Sequence, residues 1–263
     1  MNFDRIPMSS FSRQGLDLAY FETGDPAGPP VLLIHGFAST AHVNWVYPGW
    51  TKTLGDAGYR VIAFDNRGHG ESAKPHDPAF YDPALMAGDA FALLDHLGIR
   101  SAHFFGYSMG ARITAYAMLE ELQRVRSAIF GGLGVGLVKG VGDWDPIAEA
   151  LLAADPETIT DEKGRMFRAF ADQTKSDRLA LAACIRATRT TVSEEDVRRF
   201  EVPVLIGIGT KDEIAGSGSE LAALLPDARV VDIPRRDHML AVGDRVFKSA
   251  VLDFLGKQTR KDG

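Results

Sequence analysis

Five short, nearly unbroken apolar runs recur along the chain, and each closes on turn-forming residues. They are Val31–Ile34 before His35-Gly36, Val61–Phe64 before Asp65, Ala102–Phe105 before Gly106, Val204–Ile208 before Gly209, and Val230–Ile233 before Pro234. Runs of this length suit strands covered on both faces, as in a parallel sheet. Ala128–Phe130, before Gly131-Gly132, is a shorter sixth. Upstream, residues 8–12 and 16–22 around Gln14-Gly15 predict an antiparallel hairpin at a sheet edge.

Helical periodicity fills the gaps. Asp82-Pro83 is an N-cap followed by a first-turn proline, and Met86, Ala90, Leu93, Leu94 and Leu97 then share one face until Gly98. Asp244 caps a second such segment, which buries Phe247, Ala250, Val251 and Phe254 and is expected to stop at Gly256, with a polar tail from Lys257. Strands alternating with helices imply βαβ units and an open, mostly parallel sheet. The alternation fails between about 134 and 200, where only helix-like segments near 145–154, 161–173 and 177–187 occur. The pattern therefore predicts a core of 1–133 and 201–263 with a helical cap, 134–200, inserted over it. A glycine-rich lead-in at 131–142 is expected to act as a hinge.

Composition narrows the function classes. The chain has 263 residues, 45% hydrophobic and 24% charged, with a net charge of -6, which gives no general attraction to phosphate backbones or anionic lipid. One cysteine, Cys184, excludes an intrachain disulfide. The first fifteen residues carry Asp4 and Arg5 without an apolar segment, and no apolar run approaches the ~18 residues that span a bilayer. A cytoplasmic protein without nucleic-acid or membrane partners is expected; no motif speaks to its oligomeric state.

The strongest chemical signal follows the third run. Gly106-Tyr107-Ser108-Met109-Gly110 lies between a strand and a helix-like segment, a G-x-S-x-G whose serine would stand on a sharp strand-to-helix turn. Glycines at 106 and 110 would remove clashes with the neighbouring strand and helix, and the helix N-terminus favours developing negative charge. A serine hydroxyl needs a general base within hydrogen-bond reach. Of the histidines at 35, 42, 69, 76, 96, 103 and 238, only His238 follows the last strand, where loops at the carboxyl ends of parallel strands converge. The acid that orients it is Asp212, just past Val204–Ile208, with Glu213 as the neighbouring alternative; Asp237, adjacent to the base, should point elsewhere. The oxyanion formed on attack needs fixed N–H donors, expected from the backbone of Met109 and Phe37, while His35 is read as pinning the latter's loop.

The blocks HGFAS at 35–39, DNRGHGES at 65–72, GYSMG at 106–110, GTKD at 209–212 and DH at 237–238 together resemble the α/β-hydrolase superfamily over essentially the whole chain. The resemblance implies a sheet of about eight strands and the chain order Ser108, Asp212, His238 for the catalytic set. It also implies that Arg67 and His69, in the D-x-R-G-x-G-x-S turn, are structural. HGF with GYSMG is similar to carboxylesterases and cofactor-free perhydrolases of that superfamily; the dehalogenase and epoxide-hydrolase branches carry Asp where this chain has Ser108.

The expected reaction is hydrolysis of carboxylic esters of small to medium size through an acyl-enzyme, with no metal or cofactor motif in the chain. Tyr107, Trp45 and Trp144 are candidates for the pocket wall. Carbon–carbon bond hydrolysis, lactonase, thioesterase and perhydrolase chemistry use the same set of groups, and a ligand receptor on the same fold is the non-enzymatic alternative.

Overall fold

The structure is a computed structural model and describes residues 5–259; residues 1–4 and 260–263, on which the N-terminal and tail readings partly rest, lie outside it. In chain order the core elements are β1 (Ser9–Arg13), β2 (Leu16–Gly24), β3 (Pro30–Ile34), α1 (Trp50–Asp56), β4 (Arg60–Phe64), α2 (Pro83–His96), β5 (Ala102–Tyr107), α3 (Met109–Glu121) and β6 (Val125–Gly131). The helical segments α4 (Gly136–Lys139), α5 (Asp145–Leu152), α6 (Glu162–Gln173), α7 (Arg178–Ala187) and α8 (Glu194–Val197) follow, then β7 (Val204–Gly209), α9 (Gly218–Ala222), β8 (Ala228–Ile233) and α10 (Arg245–Thr259).

The eight strands form one sheet in the order β1-β2-β4-β3-β5-β6-β7-β8. β1 and β2 pair antiparallel, as do β2 and β4, and every later pairing is parallel. The β1–β2 turn places Gln14 at φ 53° and Gly15 at φ 78°, the left-handed pair that lets a two-residue hairpin follow the strands' twist.

Period-two geometry sorts the apolar runs between two layers. In β3, Leu32 and Ile34 join the cluster under α2 and α3, while Val31 and Leu33 join the one under α1 and α10. Most buried apolar side chains of α5, α6 and α7, among them Ile147, Leu151, Phe167, Leu181 and Ile185, belong to the first of these clusters, continuous with that face of the sheet. Strand order reverses at β3: the chain goes from β3 to β4 on one side and then to β5 on the other. Loops leaving the carboxyl ends of β3 and β5 therefore diverge, and the crevice between them is where open parallel sheets bind ligands. Among the described residues, no helix is long and apolar enough to cross a membrane.

Asp82 caps α2 by accepting from Ala84 N, and Asp161 and Asp177 cap α6 and α7 in the same way. Two expectations change. Gly256 does not stop the last helix: α10 runs through it to Thr259, because nothing there forces the left-handed backbone of a helix end. The glycine-rich lead-in is not a free hinge. Gly134 N and Gly136 N both donate to Ala215 O, and Val135 N donates to Ser217 O. A Cβ on Gly134 would lie 2.6 Å from Gly216 O, so this glycine permits close backbone approach instead of bending.

Candidate active site

Ser108 sits between β5 and α3 at φ 53°, ψ -112°, a strained backbone for any residue with a side chain. Two close approaches hold the turn. A Cβ on Gly106 would lie 2.1 Å from Gly110 O, and one on Gly110 would lie 1.9 Å from Ile34 O. Only glycine at both positions lets α3 lie this close to β5 and β3, and the turn then pushes the Ser108 hydroxyl out of the sheet.

That hydroxyl is 2.9 Å from His238 Nε2, and His238 Nδ1 is 2.8 Å from Asp212 Oδ2. Asp212, the first choice over Glu213, is held by its own loop: Oδ1 accepts from the N–H groups of Ile214 and Ala215, leaving Oδ2 for the imidazole. Burial pushes the Asp212 carboxyl up, but its bond to His238, the imidazolium charge and the two N–H groups outweigh this and hold it below the usual carboxylate value. An ionised Asp212 fixes Nδ1–H and leaves Nε2 to accept a proton from the serine.

The His238 loop is fastened on three sides. Lys211 N donates to Arg236 O, and Gly209, where a Cβ would lie 2.2 Å from Arg236 O, lets the two loops touch. Asp237 does point elsewhere, its Oδ1 accepting from Met239 N and Leu240 N. Tyr107 Oη donates to His238 O at 2.6 Å, and burial raises the phenol's pKa, which keeps it a donor.

On the β3 side, the loop 35–39 has its neighbouring N–H groups occupied. Gly36 N donates to Asn44 Oδ1 and Ala38 N to His69 Nε2, whereas Phe37 N forms no hydrogen bond among the described residues. Met109 N, the first of α3, likewise has no acceptor among them. His35 pins this loop to the next: Nδ1 donates to Gly36 O, and Nε2 accepts from Asn66 N. The D-x-R-G-x-G-x-S turn is tied up structurally. Arg67 makes a bidentate pair with Asp89 at 2.6 and 2.7 Å, both wholly buried, and Ser72 Oγ donates to Asp65 O.

Two lobes meet at Ser108. The inner lobe, a cavity of about 50 Å³, lies toward Met109, Arg112, Gly132 and Trp144; the outer, about 160 Å³, lies toward Tyr107, Phe167, Phe170 and His238. Phe37 and Trp144 line both. Trp45 is a correction. It is 0% exposed, its ring centroid 4.7 Å from that of Phe105 in the layer under α1 and α10, because its short π-helical turn (42–46) directs it away from the crevice. Pattern reading also missed residues the structure brings in. Phe167 and Phe170 arrive from α6, which nothing local marks as facing the sheet. Arg112 had a legible signal, lying one helical turn after Ser108 on the same face.

An open parallel sheet bearing a hydrogen-bonded Ser–His–Asp line at its switch point is the architecture of the α/β hydrolases. Residues 29–165 match the family model for the alpha/beta hydrolase fold, and the chain belongs to that family. A non-heme chloroperoxidase, CPO-A1, of Kitasatospora aureofaciens is 26% identical over 277 residues, covering 94% of this chain and 98% of its own. An epoxide hydrolase of Caballeronia sordidicola is 39% identical over 117 residues, 44% of this chain and 34% of that one. The crystal structure of a hydrolase from Pseudomonas aeruginosa PA01 superposes with a TM-score of 0.80 at 28% identity, covering 95% of this chain and 98% of that one.

Proposed function

We propose that the protein hydrolyses carboxylic esters with short to medium acyl groups, through Ser108, His238 and Asp212. The observation that carries this reading is the unbroken line from Ser108 Oγ to His238 Nε2, at 2.9 Å, and from His238 Nδ1 to Asp212 Oδ2, at 2.8 Å. Ser108 attacks the carbonyl carbon as His238 takes its proton. The oxyanion is received by Phe37 N–H and Met109 N–H, each such donor lowering the barrier by about 3–4 kcal/mol. His238 passes the proton to the departing alcohol, and a water deprotonated by His238 then releases the acid.

Serine at the attacking position separates this chemistry from carboxylate attack on an epoxide, despite the partial match to an epoxide hydrolase. The full-length similarity to a non-heme chloroperoxidase favours a second outcome for the same acyl-enzyme, attack by hydrogen peroxide in place of water to give a peracid. Fluorophosphonate labelling, abolished in Ser108→Ala, together with turnover of p-nitrophenyl acetate and butyrate, is the expected result. A preference for chains of twelve carbons or more would contradict the acyl size, and an unlabelled protein would favour a receptor. Bromination of a phenol-red-type dye in acetate, peroxide and bromide measures the peracid route, the peracid oxidising bromide to the brominating species.

A further inference from the structure

Among the described residues three arginines are buried: Arg67, Arg112 and Arg168. Arg67 is paired with Asp89 and Arg168 with Asp172, but Arg112 has no carboxylate within 4.0 Å among the described residues. Its guanidinium donates to Thr190 O at 2.8 Å, to Gly136 O at 3.1 Å and, at 3.4 Å, to Leu137 O. These carbonyls hold the group in place. They supply no countercharge, and taking a cation out of water without one costs several kcal/mol. Burial accordingly lowers the Arg112 pKa.

The position of this unmatched charge is what gives it meaning. Arg112 is 5% exposed and lines the inner lobe with Ser108, among apolar walls that include Leu133, Val141 and Ile185. Arg189 borders the same lobe, but its charge is engaged by Asp145 at 2.6 Å. Of the two lobes His238 lines the outer one alone, and it must hand its proton to the leaving oxygen, so the leaving group lies there and the acyl chain in the inner lobe.

Building on the ester-hydrolase reading, we infer that the acyl chain of the substrate ends in a carboxylate, which Arg112 receives in the inner lobe. The substrates are then monoesters of short dicarboxylic acids. The Ser108 Oγ–acyl bond forms as the alkoxy bond breaks, the alcohol leaves with the proton from His238, and water releases the free dicarboxylate. With Nη1 donating twice and Nη2 once, Nε–H and the second Nη2–H are the donors left for that carboxylate, a charge-assisted contact of the strong kind.

The test compares monoethyl succinate, glutarate and adipate with their neutral ω-amide isosteres, by kcat/KM in the wild type and by calorimetric binding to Ser108→Ala. At the best chain length the acid is expected to exceed its amide by about tenfold in both measurements, the range of a hydrogen bond to a charged group. Arg112→Met should bring that ratio to about one and Arg112→Lys should keep part of it, a ratio being insensitive to general loss of folded enzyme. No acid preference at any length overturns the inference, whether or not Arg112 variants fold, and so does a preference that survives Arg112→Met. If neither ester is turned over but Ser108→Ala still prefers the acid, the ester reading fails and the anion site stands.

Discussion

Around Asp65 the chain gathers a carboxylate, two imidazoles and a serine hydroxyl; around Ser108 it gathers a hydroxyl, an imidazole and a carboxylate. The kinds of group match, but the wiring differs. In the first cluster each side chain bonds to backbone: Asp65 to Ala41 N and Glu71 N, His35 to Asn66 N, His69 to Ala38 N, and Ser72 to Asp65 O. In the second, side chains bond to one another in a line ending at two cavity lobes. Backbone partners lock loops, whereas a side-chain line gives a proton somewhere to go. The first cluster shapes the loop that presents Phe37 N–H, so it acts on the second only by holding it still.

Breaking the second cluster should cost activity without stability. Ser108→Ala is expected to lower kcat by roughly 10^4-fold or more, the scale at which losing one member disables such a set, with an unchanged melting temperature. Steady-state kinetics beside a thermal melt separates the two quantities. Breaking the support of the first cluster should do the reverse. Asp89→Asn leaves Arg67 buried without its partner, and about 3–5 kcal/mol of stability should go, read by urea unfolding, while the enzyme that remains folded keeps its kcat.

Acid should sharpen the contrast further. Burial lowers the His35 pKa to about 4, and for His69 burial together with the His35 charge lowers it to about 3. Both values lie below the 6.5 of an exposed imidazole, so the unfolded chain binds more protons than the folded one as the pH falls. Stability from these two groups is complete above pH ~6.5 and is lost progressively towards pH ~4, by on the order of 3 kcal/mol for each, the loss from His69 continuing to pH ~3. His69→Gln keeps an acceptor for Ala38 N and should flatten this slope in unfolding experiments repeated across pH; an equally steep slope would refute the assignment. The smallest effect is expected where the site leans on its support. Tyr107→Phe removes one hydrogen bond to His238 O, and a loss of about 1 kcal/mol should appear as a three- to tenfold drop in kcat with KM nearly constant.

Much of this was legible along the chain because it depends on local physics. The apolar runs 31–34, 61–64, 102–105 and 204–208 became strands buried on both faces and 230–233 a half-exposed edge strand, and Asp82 and Asp244 cap helices through their own nearest N–H groups. Ser108, Asp212 and His238 were also legible, each standing just past a strand's carboxyl end, where a parallel sheet brings its loops together. Trp45 and the glycines of 131–142 were not, because their roles depend on what approaches from elsewhere: Phe105 from β5 in one case, Ala215 and Ser217 in the other.

The layered sheet, its edge hairpin and the three groups that meet at the crevice follow from periodicity, capping and chain order, which are written in neighbouring residues. It took the folded chain to turn one Asp212 oxygen to His238 and, among the described residues, to leave Phe37 N–H over when its neighbours are bonded and Arg112 as the buried arginine without a carboxylate. Each of these is a statement about which partner is absent or already taken, and partners distant in sequence are assigned only when the chain has folded.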